Sequence, residues 1–594
     1  MKYLQICCLL FCFSLNAYSY EEVLTTEQIE GALENTRLND VVNRYLATIL
    51  MYDPETATTL GIHESDNLLT QRNRERYNLQ FDALKKLRAR LHEIKKETLY
   101  PNLQIDYEIM DHMLEVDVFN MENLNILGKM PQYYLNPFLS IYSVLTKDFE
   151  DYTIRAANAL ARLKAFPEAL LQAERNLNHP PKIWTEQAIK QTRDSISSVS
   201  EFIPLFRRYT RYDPILRAQV DDAINKARTS LERYLNFLSK ELMIQSDGDF
   251  RVGDYFYGFY LERWHGLDRT PGAVYRYTRK AFKNALKDLE KEAFNIDPML
   301  AKSKGWKAVL DNLPKEHPPL DNVLKIFQEE FERAYQHFDE HKVVGFPKQR
   351  ILVNKMPLFL SALLPYAAYA PPFALDEEKV SDLYIALPSE KLPEKTKEKI
   401  LSAGFNYPQI ELLVSNLVMP GLHLQNYESS LNKSKIRKIS RQPMITNGWA
   451  CYSEALSEEM GFYNSYWSRF LRIYLKTLRA ARSYLDAALH TKKMKYEEAV
   501  SFLTDNLHLP RVQAEQEVLK ISLTPTEGIT YLLGMEKITE IRKYYERTEE
   551  KYFDLRKFHS YFLRLGGIPI ESARKELRRL KKEEEKKIKV SEPL

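Results

Sequence analysis

Apolar side chains recur at three- and four-residue spacings along most of this chain, a period that confines it to helices packed through one face. Ala281, Phe282, Ala285, Leu286 and Leu289 share a face after the breaker Pro271–Gly272, with Lys and Asp opposite. Leu478, Ala481, Leu485, Ala488 and Leu489 repeat the pattern. So do Ala156, Ala159, Leu160 and Leu163, ahead of Pro167, which is expected to interrupt that helix. Extended structure is expected in two places only: Arg350 to Val353, and Val380 to Leu387 between Pro371–Pro372 and Pro388. The expectation is a mostly α protein with a small sheet or hairpin set into it.

Its 594 residues suffice for several ordinary domains or for one large helical body. Only 18 are Gly and 44% are apolar, which excludes collagen-like, low-complexity and wholly disordered classes. Lys and Arg number 85 against 81 Asp and Glu, too even a balance to imply a nucleic-acid partner. Gly248, Gly253, Gly258, Gly266 and Gly272 crowd into a stretch rich in Tyr and Phe, read as an irregular connection. If the chain divides, it divides there, into an N-terminal helical half over 20–247 and a C-terminal half over 273–594. From Glu571 the end of the chain is dominated by Lys, Arg and Glu, and reads as a solvated helix fraying into a tail.

At the N-terminus, Lys2 precedes an apolar stretch from Leu4 to Leu15 and then Ala17-Tyr18-Ser19. This is the pattern of an export signal over 1–19, with a mature start at Tyr20 in a periplasmic or secreted protein. A membrane span needs roughly 20 apolar residues, and no run in the chain reaches that. A lipid anchor at Cys12 is the alternative, weakened by Phe11 where a small residue is expected. Cys7, Cys8 and Cys12 lie inside the signal, so Cys451 is the single cysteine after it and no intramolecular disulfide can form.

The common catalytic signatures are absent: no Gly-x-Ser-x-Gly, no dinucleotide fingerprint, no phosphate loop, no His-Glu-x-x-His. Cys451, in Trp449-Ala450-Cys451-Tyr452, has no His nearby in sequence and reads as a small buried hydrophobe.

Two segments carry more. Met419-Pro420-Gly421-Leu422-His423-Leu424-Gln425 is followed by Asn447-Gly448-Trp449-Ala450-Cys451-Tyr452-Ser453-Glu454-Ala455-Leu456 and by Glu459-Met460-Gly461. They resemble the bacterial family called domain of unknown function 885, whose members resemble zinc metallopeptidases of the gluzincin type. There the first segment reads His-Glu-Gly-Tyr-Pro-Gly-His-His-Leu-Gln and the second Glu-Gly-Trp-Ala-Leu-Tyr-Ala-Glu-x-Leu. Arg479, Arg482, Asp486 and His490 fit a downstream pattern of the family, as do Pro525, Tyr531 and Gly534, and Phe553 to Arg556 with Phe558-His559. Upstream, Asp53-Pro54 to Leu60-Gly61, Phe166-Pro167 with Leu171-Gln172, and Tyr369 to Pro372 extend the likeness. The resemblance implies a large helical metallopeptidase-like body with its small sheet beside a cleft.

It also implies zinc, but not for this chain. Laid on Pro420-Gly421, the family's first His falls on Asn416, its Glu on Leu417 and its second His on Leu422. A zinc peptidase needs imidazole and carboxylate ligands and a carboxylate to take a proton from bound water. Leu has no lone pair to give. On one continuous helix Asn416 and His423 would return to nearly the same face, yet one His with Glu454 would still be two ligands short. His423 reads as a satisfied helix histidine under Tyr427.

The resemblance turns Glu454 inward as a former metal ligand, and without metal it should seek Arg482 or Tyr531. Tyr531 matches a Tyr that could hydrogen-bond a substrate carbonyl. Arg482 and Asp486 have the spacing of a helical ion pair, and His490 could join their row. Asn447, Thr526 and Glu527 also depart from the family's residues. Three functions follow. The first is an exported pseudopeptidase without metal that binds or scaffolds peptides or another protein. The second is a surviving hydrolase with a rebuilt site, or with Glu454 paired to His490 or Tyr531. The third is a purely structural helical protein whose cleft Leu417 and Leu422 fill.

Overall fold

A computed structural model describes residues 26–345, 347–357, 360, 366–377 and 380–591. The expected export signal over 1–19, Tyr20, and Cys7, Cys8 and Cys12 lie outside the described residues. The protein is mostly α, and each apolar stripe read from the sequence lies on a helix. These elements run from α1 (Thr26–Tyr52) through α2 (Tyr152–Asn176) to α3 (Pro271–Ile296). The second half of the chain follows with α4 (Tyr407–Leu417), α5 (Leu422–Ser430), α6 (Pro443–Glu459), α7 (Tyr466–His490) and α8 (Arg511–Leu523). Three more close it: α9 (Glu527–Glu549), α10 (Leu555–Arg564) and α11 (Ile570–Ser591).

Pro167 does not interrupt its helix. It lies inside α2, which continues to Asn176. A proline removes one hydrogen bond, and burial of Leu163, Phe166 and Leu170 on the same face holds the helix across the gap. The glycine-rich connection is only partly irregular, since Gly253–Phe259 is helical and Tyr260–Trp264 forms a π-turn. The final helix is docked rather than merely solvated: Ala573, Glu576 and Leu577 are buried, and Glu576 accepts from Arg437 and Arg579.

The sheet has three strands in the order β1 (Arg350–Lys355), β3 (Val380–Ile385), β2 (Ala367–Ala370). β1 runs parallel to β3 with Leu352 opposite Asp382, and β2 runs antiparallel with Tyr369 opposite Leu383. The two stretches read as extended are β1 and β3. β2 has no such signal, because Ala-Ala-Tyr-Ala has little strand preference of its own.

The largest core joins Leu38 and Val41 of α1 to Leu383 and Ile385 of β3, Trp449 of α6 and Leu577 of α11. A second core packs residues Tyr134 to Leu242 among themselves, and a third seats Phe282 and Ala285 of α3 on Leu478 to Leu489 of α7. α6 and α9 come closest at two glycines. A Cβ on Gly448 would lie 2.5 Å from the Gly534 carbonyl carbon, a separation only glycine permits. That contact sets α6 between α4, α7 and α9, which positions Glu454.

Candidate functional site

Asn416 and His423 do not share a helix face. α4 ends at Leu417, the chain turns through Val418 to Gly421 with a cis Met419–Pro420 bond, and α5 begins at Leu422. The break sends the two side chains to different places. Asn416 Nδ2 donates to Glu454 Oε1 at 2.7 Å and to the Ala450 carbonyl at 3.2 Å. His423, fully buried, contacts the sheet region instead: Nε2 lies 3.2 Å from the Gln349 carbonyl and Nδ1 3.4 Å from the Tyr369 hydroxyl. Burial pulls its pKa to about 4, so it is a neutral, satisfied histidine, with Tyr369 rather than Tyr427 as its ring partner.

Glu454 is turned inward, as the resemblance implied, and is 2% exposed. Its partner is neither Arg482 nor Tyr531. Arg479 Nη1 donates to Oε2 at 2.5 Å and Nη2 to Oε1 at 2.7 Å, a bidentate pair. Arg482, three residues on, has rotated away to α8 and binds Glu517 at 2.5 and 2.7 Å. The expected Arg482–Asp486 pair is therefore not formed. Asp486 accepts from the N–H of Thr526 at 3.0 Å and of Gly528 at 2.6 Å, tying down the start of α9. Burial pushes its carboxyl up to about 7, against the opposing pull of those N–H groups.

His490 ends α7, with Nε2 2.9 Å from the Ile521 carbonyl and its pKa pulled by burial to about 4. It is three helical turns, roughly 16 Å, beyond Arg479, so it cannot form an acid/base pair with Glu454. Tyr531 does share space with Glu454. A cavity of about 370 Å³ is lined by Cys451, Glu454, Arg479 and Tyr531 together with Arg472 and Lys476. The Cys451 thiol is buried and pushed up to about 12, which leaves no thiolate for nucleophilic attack. Leu417 packs against the main core. Leu422 lines a separate cavity of about 350 Å³, with Asn447 and Glu527.

The residues present do not fit a zinc ion. Among the described residues no three His, Cys, Asp or Glu side chains gather into a set that could hold one. Glu454 offers its lone pairs to a guanidinium and an amide, and a divalent cation there would face the Arg479 charge. Arg479 is the residue that sequence reasoning placed in a pattern without a role. Its spacing from Arg482 was visible, but which of the two turns toward Glu454 was not.

Fold and site together define a large α-helical body with a three-stranded sheet and an Arg–Glu–Asn cluster around the buried Glu454, where the resemblance expects metal ligands. The chain belongs to the bacterial protein family of unknown function DUF885, which it matches over residues 54–577. It is similar in fold to a candidate lipoprotein of unknown function from Shewanella oneidensis. The identity is 19%, the TM-score 0.73, and the match covers 91% of this chain and 98% of that one. A candidate lipoprotein from Colwellia psychrerythraea gives a TM-score of 0.73 at 16% identity, over 94% of this chain and 99% of that one. No curated protein matches this chain. Among the described residues no helix is long and apolar enough to cross a membrane.

Proposed function

We propose that this protein is an exported, peptidase-like binding protein, a pseudoenzyme that holds peptides or a partner protein in a cleft no longer equipped for metal hydrolysis. The observation that carries this reading is the bidentate Arg479–Glu454 pair closed by Asn416. It uses up the one carboxylate left from the set that the family resemblance assigns to zinc, and supplies a fixed positive charge in its place. Export rests on the signal-like N-terminus, and the lipoprotein descriptions of the two structural neighbours support it, with Cys12 as the alternative point of anchorage.

The test is metal analysis of protein purified without chelator, alongside incubation with a broad peptide library. The expected result is no stoichiometric zinc and no cleavage above buffer. Bound zinc that is lost in His423→Ala or Glu454→Gln overturns the reading. Turnover that Glu454→Gln abolishes in a folded protein also overturns it, and establishes a hydrolase using Glu454 with Tyr531.

A further inference from the structure

The cavity that Leu422 lines holds two cationic side chains that are unpaired among the described residues. Lys438 and Arg441 both line it, and neither side chain has an ion pair or hydrogen bond among the described residues. The third cation of the wall, Arg437, is already committed to Asp106 and Glu576. Glu527 is the only carboxylate among the lining residues, and it makes no ion pair with either free cation. Arg441 reaches solvent at the cavity mouth, yet the surrounding mass of protein desolvates it enough to lower its pKa.

A second, independent feature lies next to Arg441 in the chain. Gln442 lines the same cavity and is 2% exposed, and neither its Nε2 nor its Oε1 has a partner among the described residues. It occupies the N-cap position of α6 without capping it, so the positive end of that 17-residue helix also faces the cavity wall at Pro443. The neighbouring Ser440 Oγ is likewise buried and unpartnered. Buried polar groups are nearly always satisfied, so an amide left open at both atoms beside two free cations marks a missing ligand. Pro371, Pro372 and Phe373 make part of the lining apolar.

We propose that this cavity binds a carboxylate with an adjacent amide, as found in peptides: Arg441 and Lys438 take the carboxylate, Gln442 pairs with the neighbouring peptide unit, and the Pro–Phe wall receives a side chain. The assignment rests on the peptide-binding reading above and places recognition of the peptide in this cavity, separate from the one lined by Glu454 and Arg479. The carboxylate can come from a peptide C-terminus or from an acidic side chain.

Calorimetric titration of the full exported chain with three probes decides between these. The probes are acetyl-Ala-Ala-Ala as the free acid, the same peptide as its C-terminal amide, and acetyl-Ala-Glu-Ala amide. Expected is binding of at least one carboxylate-bearing probe, at least tenfold tighter than the neutral amide, and a loss of tenfold or more in Arg441→Gln. Preference for the free acid assigns the C-terminus, and binding of the Glu probe assigns the side chain. Equal affinity for the neutral amide, no binding of any probe, or an unchanged affinity in Arg441→Gln overturns the proposal. Arg441 is exposed at the mouth, so its variant is expected to fold, and the three-probe comparison needs no variant at all. Failure here leaves the zinc-free, non-hydrolytic reading untouched, whereas bound zinc or cleavage refutes that reading whichever probe binds.

Discussion

Arg479 donates both terminal guanidinium nitrogens to Glu454, at 2.5 and 2.7 Å, across the packing of α7 on α6. Glu454 is buried and the Arg479 side chain is 14% exposed, so removing either one leaves the other charge largely stranded. Arg479→Met is therefore expected to lower stability by about 3–5 kcal/mol in urea unfolding. The double variant Arg479→Met/Glu454→Gln should recover much of that loss. A double variant no better than the single one would show that the pair is not the energetic unit.

The second expectation concerns the contact of α6 with α9. Gly448→Ala places a methyl group 2.5 Å from backbone at Gly534, which cannot move aside as a side chain can. A loss of about 1–3 kcal/mol is expected from the forced separation of the helices. The same substitution at Gly305, where an added Cβ meets nothing, tests strain at a positive φ without crowding. Only the Gly448 variant should also weaken the Glu454 environment.

Asp486 should give stability a pH dependence. Its carboxyl is raised to about 7 in the folded state from an ordinary value near 4, so the folded protein holds a proton that the unfolded chain releases. The stabilisation is complete below about pH 4 and lost as pH rises through about 7, with a slope of at most ~1.4 kcal/mol per pH unit. Thermal unfolding between pH 4.5 and 7.5 should show this decline, and Asp486→Asn should flatten it.

His63 acts in a higher window. Burial pulls its pKa down, but hydrogen bonds to Asp376 and Asp66 outweigh that and raise it to about 9. The imidazolium, stacked on Phe149 at 3.9 Å, links the loop after Leu60 to the loop after β2. For a raised histidine the contribution is full below about pH 6.5 and disappears as pH rises through about 9. Melting temperatures from pH 6.5 to 9.5 should fall in the wild type and stay more nearly level in His63→Gln.

Much of the site was legible as residues and little of it as contacts. The inward turn of Glu454, the burial of Cys451 and a self-satisfied His423 could all be read ahead of the structure. The reading of Asn416 and His423 on one face failed because spacing assumes an unbroken helix, and the chain turns at Val418 to Gly421. Pro167 misled in the opposite direction, since a breaker's local cost was outweighed by burial of its neighbours. Arg441 and Gln442 carried no signal at all, because an unpaired side chain is defined by what fails to approach it.

By itself the sequence determined the helical class, the place of two of the three strands and the family. These depend on residue identity and local period, which act within a few turns of chain. The tertiary structure alone decided which arginine meets Glu454. Arg479 and Arg482 lie three residues apart, about 60° around one helix, so their own helix hardly distinguishes them. The choice belongs to α6 and α8, which present Glu454 to the first and Glu517 to the second. Partners distant in sequence are chosen by packing, and packing exists only once the chain has folded.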